Sequence, residues 1–271
     1  ITGLPVKETL RLNRLSMVDA GIIVLIAFLC QPVATFLGTL TNMFSENLVN
    51  KVFREINAIP YITQLGIMAL TPAICEEITM RGIILSGYRK ASTFKAVVVT
   101  GLLFGIFHLN IQQLSYTFVL GMLFAYLVII TDSILASMLC HFIFNGIQVT
   151  TSNIVSKLYP KAMEEAPSLI NMSIGDKINT LIPLFFSALF FSALIFLLVR
   201  KIYMRNMRKR ESFNIIANHD VNGQHQKNRS HEFDYLLNGS RDSVEEKVIN
   251  APFIGIIVLY IIMMFITVVR T

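Results

Sequence analysis

The chain is poor in the residues that keep a folded protein in water. Charged residues make up only 15% of its 271 positions, whereas a soluble domain typically carries about 25%. Apolar residues reach 54%, and several runs approach the roughly 20 residues that cross a bilayer. The composition therefore excludes a soluble globule. It predicts an all-α, polytopic membrane protein, because helices satisfy their own backbone hydrogen bonds in lipid.

Other features that mark particular classes of protein are also missing. Tryptophan is absent, so we expect tyrosine to supply the aromatic residues at the membrane interfaces. The three cysteines, Cys30, Cys75 and Cys140, all lie in apolar segments, which argues against a disulfide framework. The sequence has no basic domain or arm and no Gly-rich phosphate loop. We therefore expect no nucleic-acid partner.

Seven apolar segments are predicted to cross the membrane. They cover about residues 16–40, 61–87, 95–109, 113–131, 133–151, 178–199 and 250–269. Three basic clusters lie at 7–14, 89–95 and 200–210, and seven alternating spans place all three on the same side. That side is predicted to be the cytoplasm, because Lys and Arg collect in cytoplasmic loops.

Polar segments divide the chain into four parts. Residues 1–15 are predicted to form an amphipathic, interfacial segment. Residues 16–200 form the transmembrane core, a bundle of four or more helices whose motifs lie within 60–150. Residues 201–249 are predicted to be a basic and then polar cytoplasmic loop. Residues 250–271 complete the chain as a C-terminal transmembrane helix.

The stretch TPAICEEITMRG places three charges inside the second span. Glu77 and Arg81 stand at i and i+4 on one helical face, where we expect a structural ion pair. Glu76 is rotated about 100° away. It is either a base that works near neutral pH or a protonated carboxyl group bonded to another helix. Pro72, one turn earlier, should leave the carbonyl oxygen of Met68 without its helical donor.

Two further pairs stand at i and i+4 on later spans. FGIFHLN contains Phe104 and His108, and CHFIFN contains His141 and Asn145. A histidine in a span points to function by default, although a lone histidine is more often a core residue. His141 and Asn145 share a helical face. Their N–H groups could point at one oxygen atom, as an oxyanion hole requires, or they could clamp two helices together.

The three motifs occur in order and on separate predicted helices: Glu76-Glu77-x-x-x-Arg81, Phe104-x-x-x-His108 and His141-x-x-x-Asn145. This pattern resembles the CPBP family, which comprises the type II CAAX prenyl endopeptidases and their bacterial relatives. Those relatives include bacteriocin-processing and self-immunity proteins. The resemblance covers roughly residues 60–150, and every motif matches.

The resemblance implies an intramembrane glutamic endopeptidase that needs no metal. Glu76 and His108 would activate a water molecule, and His141 and Asn145 would stabilise the oxyanion. The implied substrate is a membrane-embedded or lipid-anchored peptide, either prenylated or bacteriocin-like. No cofactor is implied.

The resemblance also bears on the rest of the molecule. Glu77, Arg81 and Phe104 would orient the site. The amphipathic start is similar to the segment that follows the first helices of bacterial members, so one or two helices are expected before Ile1. The implied location is the cell membrane, as a multi-pass protein of bacterial type.

Other interpretations stay open at this point. Two histidines and a glutamate can bind Zn²⁺ and leave a position for water. However, H-E-x-x-H is absent, and Arg81 beside Glu77 would oppose a cation, so the metal-free interpretation is favoured. A non-catalytic peptide-binding or immunity protein is another alternative. A proton-coupled transporter would show inverted repeats, which this sequence lacks.

One expectation conflicts with the others. Glu76 lies in the middle of its predicted span, whereas His108 lies near the non-cytoplasmic end of its own. Both residues must reach one water molecule. Either the third span ends later than predicted, or the helices are tilted or staggered.

Overall fold

The computed structural model describes residues 5–44, 55–56, 59–159, 169–219 and 253–258, with side chains up to residue 212 in the longest helix. Within these ranges the regular structure is helical throughout. In chain order the helices are α1 (Val6–Thr9), α2 (Met17–Asn42), α3 (residues 61–87), α4 (Thr93–Phe107), α5 (Ile111–Thr131), α6 (Ile134–Leu158) and α7 (Ile174–His219). A short 3₁₀ turn, Leu169–Asn171, precedes α7.

Four of these helices are long and apolar enough to cross a membrane: Met17–Asn42, Ile111–Thr131, Ile134–Leu158 and the described part of α7, Ile174–Ser212. Helix α4 is apolar but shorter, and α3 is divided into five pieces. The predicted span at 250–269 lies outside the described residues except for 253–258, which are helical. The all-helical fold class is therefore confirmed, whereas the count of seven spans stays a prediction.

Helix α3 carries the first motif and is not a regular α-helix. Its α-helical pieces are Tyr61–Leu65, Thr71–Glu77 and Leu85–Gly87. Two π-helical pieces, Gly66–Leu70 and Ile78–Ile84, separate them. The motif glutamates therefore lie in a short α-helical piece between two wider turns. Such π segments occur frequently at functional sites.

The predicted basic clusters come together at one end of the helix bundle. Arg89, after α3, donates a hydrogen bond to the carbonyl oxygen of Glu8. Asp19, at the start of α2, accepts from Arg205 on α7 at 3.1 Å. We call this the basic end. Because these contacts join the first part of the chain to the end of α3 and to the C-terminal half of α7, they agree with helices that alternate in direction.

Residues 5–16 pack on the protein at the basic end. Arg11 is only 3% exposed, and its carbonyl oxygen accepts a hydrogen bond from the backbone of Ile134. Asn13 donates to Asp132 in the α5–α6 turn at 2.8 and 2.9 Å. This segment was predicted to be interfacial, and the contacts show that it also braces the bundle.

The prediction of a loop at 201–249 is wrong for residues 201–219, which are helical. Helix α7 continues without a break through residues 201–219. The basic run therefore extends the helix, and its side chains reach back to Asp19 at the start of α2. Such an anchored run favours helix over loop. Residues 220–249 lie outside the described residues.

Helices α4 and α5 pack backbone against backbone. A Cβ atom added to Gly101 would lie 2.9 Å from the backbone N of Met122, and one added to Gly121 would lie 2.9 Å from the Cα of Gly101. Small residues permit such close approach between membrane helices. The contact holds the histidine end of α4 against the face of α5 that carries Phe124.

Candidate active site

A cavity of about 290 Å³ lies among α3, α4, α5 and α6. All four residues predicted to be catalytic line it: Glu76, His108, His141 and Asn145. Phe104 lines it as well. The wall is completed by Met68, Pro72, Asn110, Gln113, Tyr116, Thr117, Leu120, Phe124, Phe144, Gln148 and Val149. Three separate sequence motifs thus converge on one space.

Helix length explains how Glu76 and His108 reach the same cavity. Helix α4 ends at Phe107 and has 15 residues, so it is roughly 22 Å long, which is less than the hydrocarbon core of about 30 Å. His108 caps its C-terminus. Glu76 lies roughly 17 Å from the basic end of α3 at the same rise per residue. Helix α4 is therefore short, and its C-terminal end reaches the cavity that Glu76 lines.

Glu77 is buried behind the cavity, between the side chains of Arg81 and His141. Its side chain is 0% exposed, and its Oε1 accepts a hydrogen bond from Arg81 Nη1 at 3.0 Å. This confirms the predicted i, i+4 pair. The same Oε1 also accepts from His141 Nδ1 at 2.8 Å. Glu77 therefore joins the first motif to the third, a link that the sequence analysis missed because it depends on packing between α3 and α6.

Arg81 is held on several sides within the helix bundle. Its side chain is also 0% exposed, and Nη2 donates to the carbonyl oxygen of Gly121 at 3.1 Å. The guanidinium carbon lies 4.4 Å from the ring centre of Phe104 and 5.3 Å from that of Phe124. Such desolvated cation–π contacts contribute about 2 kcal/mol. The Phe104 ring thus packs between the Arg81 guanidinium and the two histidine rings.

The two histidines differ in how their rings are fixed. His108 Nδ1 lies 2.8 Å from the carbonyl oxygen of Phe104; because that oxygen only accepts, Nδ1 must carry the proton. When the ring is neutral, Nε2 is left as an acceptor. His141 donates its Nδ1 proton to Glu77 and stacks on Phe124, with ring centres 5.3 Å apart. With Nδ1 bonded to Glu77, Nε2 is the ring nitrogen left for a substrate or a water molecule.

Glu76 is placed differently from its neighbour. It lines the cavity, and its buried Oε2 has no hydrogen-bond partner among the residues that the structure describes. The carboxylate thus lies at the cavity without a hydrogen-bonded counterion, although the Arg81 charge is near enough to act on it. The structure thus separates Glu76 from the Glu77–Arg81 pair, as predicted, whereas the catalytic role of Glu76 stays a prediction.

Asn145 uses the backbone irregularity that Pro72 creates. Proline has no N–H to give to the carbonyl oxygen of Met68, four residues earlier. Asn145 Nδ2 donates to that oxygen at 3.1 Å. One amide hydrogen is used in this bond, which leaves the second for another acceptor, and the residue also lines the cavity. The bond therefore orients the amide instead of consuming it.

Residues 58–147 match the family model of Rce1-like type II CAAX prenyl endopeptidases. The chain carries a domain of this family. No curated protein and no solved structure matches the chain. The CAAX endopeptidase domain contains all seven motif residues, from Glu76 to Asn145, so the predicted resemblance is confirmed over this part of the chain.

The wall of the cavity includes polar residues beyond the motifs. Four of them, Asn110, Gln113, Tyr116 and Gln148, were not identified by the sequence motifs. Asn110 caps α5 by accepting from the backbone of Gln112 at 2.9 Å. A signal for these residues was present in the sequence as polar positions in apolar spans, but spacing alone did not place them in one cavity.

The side chains of this domain do not assemble a recognisable metal site. In the described ranges, no group of three or more His, Cys, Asp or Glu residues is placed to hold an ion. Both histidines direct Nδ1 at a protein oxygen, which leaves Nε2 of each ring for a water molecule, a substrate or a metal ion.

Proposed function

We propose that this protein is an intramembrane endopeptidase in which residues of the chain activate water for attack on a peptide bond. The observation that carries the proposal is the convergence of Glu76, His108, His141 and Asn145 on one cavity. The family whose model matches residues 58–147 is one of endopeptidases. An acid, a fixed imidazole acceptor and two orientable donors are what peptide hydrolysis requires.

Glu76 and His108 form the water-activating side of the proposed site. The Glu76 carboxylate takes a proton from water as the oxygen attacks the carbonyl carbon, and the neutral His108 Nε2 accepts the water's second hydrogen bond. Attack forms a C–O bond and converts the carbonyl oxygen to an oxyanion. Collapse of that tetrahedral intermediate breaks the C–N bond, and Glu76 returns its proton to the leaving amine.

His141 and Asn145 form the oxyanion side. His141 would donate from Nε2 when its ring carries a proton there, and the 2.8 Å hydrogen bond from Nδ1 to Glu77 holds the ring in place for this task. The free Asn145 amide hydrogen is the second donor. Donors fixed before the reaction are the most effective, because they need no reorganisation as charge develops.

The proposed substrate is a membrane-associated peptide, because the family domain is one of peptidases and the helices suit a membrane. The proposal includes seven spans in this chain and a cytoplasmic basic end in the cell membrane. The convergence of three basic clusters at one end supports this orientation, since Lys and Arg favour the cytoplasmic side.

A zinc peptidase and a non-catalytic peptide-binding protein are the alternatives. Activity that survives exhaustive chelation in protein shown to be metal-free would support the proposed mechanism. Activity that is lost on chelation and restored by Zn²⁺ would overturn it in favour of the zinc enzyme.

Comparison of peptide N-termini tests the function itself. Membranes containing the wild-type protein or Glu76→Gln would be analysed by mass spectrometry after labelling of free N-termini. We expect N-termini that appear only with the wild-type protein, and their parent peptides bound to the Glu76→Gln protein. Identical sets of N-termini would favour the non-catalytic alternative.

A further inference from the structure

We propose that Gln148 binds the backbone of the peptide substrate beside the scissile bond. This inference rests on the proposed function, because it assigns a substrate contact to the same cavity. Gln148 lies one residue beyond the segment that matches the family, residues 58–147. It lines the cavity with the catalytic candidates and is half-buried.

Gln148 differs from the other side-chain amides on its helix. Asn145 donates to the carbonyl oxygen of Met68, and Asn153 donates to Gln64. Gln148 makes no hydrogen bond with any residue in the described ranges. The helix therefore satisfies its structural amides and leaves this one directed at the cavity.

An amide without a partner is costly in a helix that crosses a membrane, and Ile134–Leu158 is long and apolar enough to do so. Lipid tails offer it no hydrogen bond, and polar groups within membrane spans accordingly pair or line water-filled cavities. The primary amide offers both a donor and an acceptor. Such a group can pair with both the C=O and the N–H of a peptide backbone. A lipid tail or an apolar side chain of the substrate would leave the donor and the acceptor of the amide unsatisfied.

The position of Gln148 fits a contact close to the reacting carbonyl. It follows Asn145 by three residues and His141 by seven, so the three side chains project from one side of α6. Three residues correspond to a rise of about 4.5 Å along the helix. An extended peptide advances about 3.3 Å per residue. Gln148 therefore lies level with a backbone group one or two residues from the carbonyl that Asn145 would contact.

The facing wall offers a second polar contact. Gln113 on α5 also lines the cavity, and its side chain interacts with the Tyr116 hydroxyl. Tyr116 thereby occupies part of the hydrogen-bonding capacity of Gln113, whereas Gln148 keeps its full capacity. We accordingly assign Gln148 the stronger substrate contact.

Peptide binding to a catalytically silenced protein separates this inference from the proposed function. Two fluorescent probes would be used with the purified Glu76→Gln protein: a farnesylated peptide with a CAAX terminus, and the same peptide without the farnesyl group. Gln148→Leu removes the donor and acceptor with little change in volume. Thr151→Val, on an exposed position of the same helix, is the matched control.

We expect Gln148→Leu in the Glu76→Gln background to weaken binding of at least one probe by about tenfold, as loss of a backbone hydrogen bond predicts. Thr151→Val should leave binding unchanged. In the protein that keeps Glu76, Gln148→Leu should raise KM more than it lowers kcat.

Equal binding with and without the Gln148 amide would overturn the inference while leaving the proposed function intact. Binding that depends on Gln148, in a wild-type protein that cleaves neither probe, would support the inference and count against the proposed function. Absence of binding by either probe to the protein that retains Gln148 would count against the substrate contact.

Discussion

At the scale of single residues, Glu76 and Glu77 are adjacent and yet differ in their hydrogen bonds. Glu77 accepts through Oε1 from Arg81 and His141, whereas Glu76 has no such bond within the described ranges; the buried Oε2 of each side chain lacks a partner there. Helical rotation alone predicted this division, because adjacent residues point about 100° apart. The pairing of Glu77 with His141 needed the fold, since it joins residues on different helices.

Glu76→Gln should abolish cleavage while the protein remains folded. The amide keeps the shape of the side chain but cannot take a proton from water, and loss of a general base lowers the rate by roughly 10²–10⁴. His108→Ala should have an effect of similar size. Product formation and thermal unfolding would be measured in parallel, with the exposed Glu8→Gln as control. Full activity in either variant would contradict the assigned roles.

Asn145→Ala should lower kcat by roughly 10²–10³, as removal of one oxyanion donor does. Asn153→Ala is a suitable control, because Asn153 lies on the same helix and bonds Gln64 outside the cavity lining. We expect that control to lose stability and keep its turnover number. If Asn145→Ala retained the wild-type kcat, Asn145 would be a clamp on the Met68 carbonyl and nothing more.

Glu77→Gln should destabilise the protein by about 3–5 kcal/mol, because it leaves the Arg81 charge buried without its counterion. A double-mutant cycle with Arg81→Met measures the coupling. The double variant should be less destabilised than the sum of the single variants. Additive effects, measured as changes in unfolding free energy, would show that the two side chains do not depend on each other.

At the scale of helices, spacing predicted much and packing added the rest. The i, i+4 pattern identified Glu77 with Arg81, and Pro72 with the freed Met68 carbonyl, because both follow from geometry within one helix. The π segments of α3 carried no recognised signal. The predicted segment 95–109 is close to α4, Thr93–Phe107. That His108 at its end meets Glu76 depends on how α3 and α4 pack, which spacing within one helix does not give.

The close packing of α4 and α5 gives a prediction at this scale. Gly101→Ala would place a Cβ 2.9 Å from backbone atoms of α5, so the helices must separate. We expect a loss of roughly 1–3 kcal/mol, as for other overpacked sites. Activity should also fall, because α4 positions His108 and α5 supplies the Gly121 carbonyl to Arg81.

Gly21→Ala provides the matched control for this substitution. Gly21 lies in α2, and a Cβ there meets no atom within 4 Å. Alanine favours a helix over glycine by about 1 kcal/mol, so this variant should be as stable as the wild type or more so. Equal stability of the Gly101→Ala protein would contradict the close backbone contact.

At the scale of the whole molecule, the basic end makes the proposed orientation testable. Lys90 and Lys209 lie near the ends of α3 and α7, where contacts to Glu8 and Asp19 bring the basic clusters together. Exposed Asn171, before α7, lies at the other end of that helix. Since α7 is long and apolar enough to cross a membrane, Asn171 and Lys209 should lie on opposite sides.

Single cysteines at positions 90, 171 and 209 would be placed in a protein whose own three cysteines have been replaced. A membrane-impermeant maleimide should label Lys90→Cys and Lys209→Cys only from the cytoplasmic side, and Asn171→Cys only from the other. The cause is the preference of Lys and Arg for cytoplasmic loops. Labelling of positions 90 and 209 from opposite sides would contradict the alternating helices. Labelling of both from outside would reverse the orientation and leave the bundle as described.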